Sequence, residues 1–152
     1  MNNFRVFEQP NHKLPFNFHS SKEVYEEMKD YQKADREMFL LLFLDCKNKV
    51  IEIEPHSIGC VDSSAVYPRE VFRSALLKNA SAIIAVHNHP SGDPEPSECD
   101  KNITRHLVIC AELFQTRFLD SIIIGEGKYF SFADQGLIEE YLMKAQDIIK
   151  AG

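Results

Sequence analysis

Two histidines one residue apart, His87 and His89, follow directly on the apolar run SAIIAV, and an acid, Asp100, stands eleven residues beyond the second of them. If the backbone is still extended there, residues two apart share a side of the strand, so both imidazoles address the same space. Asp100 falls near the first turn of the next helical pattern, where a carboxylate gains from the amino-terminal field of a helix. Two neutral imidazoles and one carboxylate make a suitable catalytic zinc set, since they leave a fourth position for water. Such a centre also needs a base outside the ligand set, to take a proton and return it to a leaving amine. Glu54, at the exit of the strand pattern VIEIE, is the candidate base. Ser97 is the candidate donor to a carbonyl oxygen that gains negative charge. The five residues together predict a hydrolytic centre with one zinc per chain.

Each piece also has a plainer reading. Ser97 and Asp100 are spaced as a helix capping box, SxxD, in which both side chains serve only the helix end. Histidines at strand ends often do no more than hydrogen-bond, and Glu54 continues an alternation of apolar and acidic residues that suits a solvated strand face. Asp120, an acid at the start of an apolar strand, is placed either to fix the tautomer of a ligand histidine or to cap the strand. Asn88 and Pro90 shape the loop between the ligands. Cys99, next to Asp100, points elsewhere on the helix, and His12, His19, His56 and His106 receive no role.

The elements that must carry these residues alternate. A helix capped by Ser20 or Ser21 runs to about Tyr31, and MFLLLFLD, short and wholly apolar between charges, reads as a central strand. CKNK turns the chain into VIEIE, and from Pro55 through Gly59 and VDSS it loosens until Pro68 opens a helix that stops at Asn79. SAIIAV leads into the proline-rich loop HNHPSGDPEP, and Ser97 begins a helix with Ile103, Leu107, Cys110 and Phe114 on one face. Residues 118–124 and 128–132 form a hairpin about Gly125 and Gly127, and 133–150 close the chain as a helix. Strands interleaved with helices give an α/β fold in layers. Residues 1–19 are an amino-terminal extension with Phe4, Val6, Phe7, Phe16 and Phe18 to tie it down, and 20–152 are a single domain.

The string IIAVHNHPSGDPEPSECD resembles the JAMM metalloprotease signature, HxHP followed at fixed spacing by serine and aspartate, and within that superfamily the RadC-like branch. FLDCKNKVIEIE, YPREVFRSALLKNASAIIAVHNHPSGD and FLDSIIIGEGKYFSF extend the resemblance over residues 20 to 135. It implies a JAB/MPN-like fold related to the cytidine deaminase layers, with a mixed central sheet flanked by helices. It further implies His87, His89 and Asp100 as zinc ligands, Ser97 as the oxyanion-side hydroxyl, Glu54 as the upstream acid acting through water, and support from Asp120. Two departures stand out. Residues 1–19 leave no room for the helix-hairpin-helix module common in this branch, and Ser121 follows Asp120 where a histidine is usual.

Composition narrows the partners. With 17 basic and 23 acidic side chains the chain carries a formal charge of -6, which argues against a surface built to coat a polyanion. Arg69, Arg73 and Lys78 read as a solvated helix face. Nucleic acid therefore lacks support from charge or from a reading module, and a DNA-repair accessory role is kept only as the alternative attached to the family. A second alternative is a non-catalytic domain that holds metal for folding. The four cysteines form no CxxC pair and predict free thiols in a reducing cytoplasm. No apolar run reaches the ~18 residues of a membrane span. A peptide or protein substrate is expected, and edge strands with the amino-terminal aromatics are compatible with a homodimer.

Overall fold

The computed structural model describes residues 10–58 and 66–151. Phe4, Val6, Phe7, Gly59, Cys60 and the VDSS serines lie outside the described residues. In chain order the elements are β1 (Phe16–Asn17), α1 (Ser21–Met28) continued by a 3-10 turn (Lys29–Lys33), β2 (Met38–Leu44), β3 (Lys49–Ile58), α2 (Pro68–Leu77), β4 (Ala82–Asn88), α3 (Glu98–Leu113), β5 (Arg117–Ile124), β6 (Tyr129–Ser131) and α4 (Leu137–Ala151).

The strands form one mixed sheet in the order β1-β3-β2-β4-β5-β6. β4 and β5 run parallel and the other pairs antiparallel. β2 is central and buried along its whole length, which is why all seven of its residues are apolar. Its alternation divides the core. Phe39, Leu41 and Phe43 join Val71 and Phe72 of α2, Leu107 of α3 and Tyr141 of α4 on one face. Met38, Leu40, Leu42 and Leu44 join Val24, Tyr25 and Met28 of α1 on the other. The mixed sheet flanked by helices is the architecture that the motifs imply.

Helix ends follow local chemistry. The Ser20 hydroxyl accepts from the Glu23 amide at the start of α1, and Pro68 opens α2. Asn79, at φ 52, takes the left-handed conformation that stops α2. One expectation is corrected: the chain does not loosen at Pro55, because β3 continues to Ile58. β1 pairs only at Lys49 and Val50, so among the described residues β3 has β2 alone as neighbour at Pro55, and the missing amide of proline is tolerated beside a register shift. Phe16 and Phe18 pack against the α1-side core. Among the described residues no helix is long and apolar enough to cross a membrane.

Candidate metal centre

β2 and β4 lie side by side with Phe39 opposite His87. The alternation that sends Phe39 and Leu41 toward α2 and α3 sends His87 the same way, and His89, one residue past the end of β4, is still tied to β5 by its amide. The Ser97 amide and hydroxyl complete a capping box with Asp100, at 2.9 and 3.0 Å, and this fixes Asp100 in the first turn of α3. Its Oδ1 lies 3.1 Å from His87 Nε2 and its Oδ2 3.1 Å from His89 Nε2. Glu37, immediately before β2, completes the group: one ligand atom each from Glu37, His87, His89 and Asp100 falls within 4.8 Å of the others. These four residues constitute a potential metal-binding cluster.

The hydrogen bonds around His89 decide its chemistry. Its amide donates to the Ile124 carbonyl at 2.9 Å, and its Nδ1–H donates to the Asp93 carbonyl at 2.8 Å. In the neutral ring that leaves a bare lone pair on Nε2 facing a carboxylate oxygen. Two acceptors held this close require a positive charge between them, either a proton or a metal ion. The same demand sets the direction of the pKa shifts. Burial alone would lower the His89 pKa, but Asp100, the Asp93 carbonyl and Glu37 together raise it. Burial would likewise raise Asp100, yet His87, His89 and the Ser97 amide hold its carboxyl well below the usual carboxylate range. His87 is buried, and its Nδ1 has no hydrogen-bond partner among the described residues. Its ring stacks on Phe39 at 5.7 Å between centroids, and His56 meets the edge of the same phenylalanine at 6.2 Å.

The structure thus brings His87, His89, Ser97 and Asp100 together and leaves two expected residues elsewhere. Glu54 lies opposite Leu41 on β3, two strand spacings or about 10 Å from β4. Its carboxylate is held by Lys78 Nζ at 3.0 Å and by the Ser74 hydroxyl at 3.3 Å, so it serves the β3–α2 contact rather than the cluster. Asp120 aligns with Ile84, three residues short of His87. Its carboxylate accepts from the Ser121 amide at 2.7 Å, the Ala133 amide at 2.9 Å and the Ser131 hydroxyl at 2.5 Å. It therefore fixes the corner before α4, not a histidine tautomer. Cys99 packs against the core. Glu37 is the residue that spacing alone did not reveal. Its signal is faint: an acid in the charged run KADRE, two residues before Phe39 and in phase with it.

The RadC-like JAB domain model matches residues 18–137. A UPF0758 protein of Methanosarcina mazei is 43% identical over 133 residues, which cover 87% of this chain and 56% of that protein. Similar proteins of Histophilus somni (45% over 109 residues, 72% of this chain and 49% of the relative) and Xanthomonas axonopodis pv. citri (48% over 103 residues, 68% and 46%) share the UPF0758 name. The chain spans about half the length of these curated relatives. A mixed sheet that carries a His-His-Asp-Glu cluster with the geometry of a JAMM-type hydrolytic site, matched over most of its length by that family model, belongs to the RadC-like JAB domain family.

Proposed function

We propose that this chain is a zinc-dependent amide hydrolase of the metallopeptidase class, with His87, His89 and Asp100 as ligands of one zinc ion and Glu37 as its acid-base group. The single observation that carries this reading is the convergence of Glu37, His87, His89 and Asp100 within 4.8 Å. The donor set supports zinc in particular. Two imidazole nitrogens and one carboxylate, each imidazole 3.1 Å from its own Asp100 oxygen, are nitrogen and oxygen donors of the kind that zinc takes. Glu37 stands further back, at 3.8 Å from His89 Nε2, which favours a proton-handling role over that of a fourth ligand.

Zinc, when bound, supplies a Lewis acid that polarises a carbonyl and acidifies water. The protein does the rest. Glu37 Oε1, at the rim of the cluster, takes a proton and passes it to the departing nitrogen. Ser97 Oγ accepts the Asp100 amide and keeps its own O–H, so it donates to the carbonyl oxygen as negative charge grows there. The Asp93 carbonyl holds the His89 ring in one tautomer. Peptides or proteins are the proposed substrates. Among the described residues the free thiols of Cys46 and Cys110 support a cytoplasmic setting.

The test compares Glu37→Gln with Glu54→Gln in zinc-reconstituted protein, assayed on a mixed library of fluorogenic peptide and isopeptide substrates. Glu37→Gln is expected to keep its metal and lose about 10²–10⁴-fold in kcat, whereas Glu54→Gln stays within about twofold of wild type, since it touches no member of the cluster. Unchanged turnover in Glu37→Gln would overturn the assignment.

A further inference from the structure

Asn88, the residue between the two histidines, is fully buried. Alternation turns its side chain to the opposite face of β4 from His87 and His89. There its Oδ1 accepts from the Met38 amide at 2.7 Å, and its Nδ2 donates to the Arg36 carbonyl at 3.0 Å. Met38 and Arg36 are the neighbours of Glu37 on either side. The β2–β4 register runs from Leu44 opposite Ala82 to Phe39 opposite His87. Beyond that last rung the Asn88 amide takes over, reaching the peptide groups that flank Glu37. A primary amide is the side chain suited to this position. It presents one acceptor and one donor in a plane, whereas a carboxylate offers acceptors only. The partners, an N–H and a C=O, also fix which way the amide is turned.

We infer that Asn88 is a positioning residue that holds Glu37 against the His87, His89 and Asp100 cluster. One residue thereby ties His87 at the end of β4 and His89 just past it to the acid immediately before β2. The inference rests on reading that cluster as a zinc site, and it is separable from it by measuring zinc affinity rather than turnover.

The experiment is a double-mutant cycle read by chelator competition for zinc in wild type, Asn88→Ala, Glu37→Gln and the double variant. Removing a carboxylate beside the ion, or letting it swing away, weakens binding by about tenfold. Asn88→Ala should therefore raise the zinc Kd about five- to tenfold in wild type and by less than twofold in the Glu37→Gln background, where nothing is left to position. Asn88→Val, which keeps a good strand former but offers no hydrogen bond, should repeat both results if Asn88→Ala fails to fold. Equal weakening in the two backgrounds would mean that Asn88 acts on the histidines or on the strand at large, and would overturn the inference, as would no weakening in either. A wild-type protein that binds no zinc would sink the zinc reading itself, and this inference with it.

Discussion

Glu37, immediately before β2, and Glu54, on β3, are both acids of neighbouring chain segments, and what separates their roles is the company that each carboxylate keeps. Lys78 and Ser74 engage Glu54, while the chain ahead of β2 brings Glu37 to His89. Nothing in the local sequence ranks one above the other, because the choice depends on strand order, which is a tertiary property. Asp120 shows the same limit. Its burial pushes the carboxyl up to about 6, against the pull of Ser131, Ala133 and Ser121 and with a further push from Asp134. Between about pH 4 and 6 the folded protein therefore holds a proton that the unfolded chain has released, so this group's contribution to stability falls as pH rises through that window and is flat above it. The loss amounts to about 3 kcal/mol at ~1.4 kcal/mol per pKa unit. Asp120→Asn keeps an acceptor for the two amides and can donate to Ser131, so its stability relative to wild type should improve from pH 4 to 7 in urea titrations. A difference independent of pH would show that Asp120 is not so perturbed. Asp120→Ala strands the Ser121 and Ala133 amides and should cost about 2–4 kcal/mol at pH 4, and less at pH 7, where wild type has lost the titrating contribution that alanine never had.

At the scale of elements, the capping box and the metal cluster turn out not to be rival readings of Ser97 and Asp100. Ser97 secures the start of α3, and the same bonds aim the second carboxylate oxygen at His89. The loop between the histidines and α3 is fastened in turn to the β5–β6 turn: the Glu126 amide donates to the Gly92 carbonyl at 2.8 Å, and the Gly92 amide donates to that of His89 at 2.9 Å. The contact is so close that a Cβ on Gly125 would stand 2.4 Å from the Gly92 oxygen and 2.7 Å from a Pro94 carbon. Gly125→Ala should therefore displace the loop, cost about 1–3 kcal/mol in chemical denaturation and weaken zinc binding by about tenfold. Denaturation midpoint and zinc affinity both equal to wild type would disprove the coupling. The helices and strands themselves were legible from periodicity, caps and turn residues, since those signals are local. The continuation of β3 through Pro55 was not, because it depends on β1 being too short to pair there.

At the scale of the molecule, the division of the core was readable in outline. A run of seven apolar residues such as β2 has to be covered on both faces, and it is, by α1 on one side and α2, α3 and α4 on the other. What pattern alone leaves open is which strand ends meet, and it is at such a meeting, between the start of β2 and the end of β4, that the cluster lies. A metal ion bound there would join β4, the chain before β2 and the start of α3. Zinc held only by the folded state should accordingly raise the melting temperature, by an amount that grows with free zinc and disappears with a chelator. A melting temperature indifferent to both would argue against a folded-state site. Most direct is the zinc content of the purified, zinc-reconstituted chain by elemental mass spectrometry, alongside Asp100→Ala, His89→Ala, which leaves the capping box intact, and Glu54→Gln. The account predicts about one zinc per chain in wild type and in Glu54→Gln, and loss of it in the other two. A wild-type chain that retains no zinc, or ligand variants that retain it in full, would contradict it.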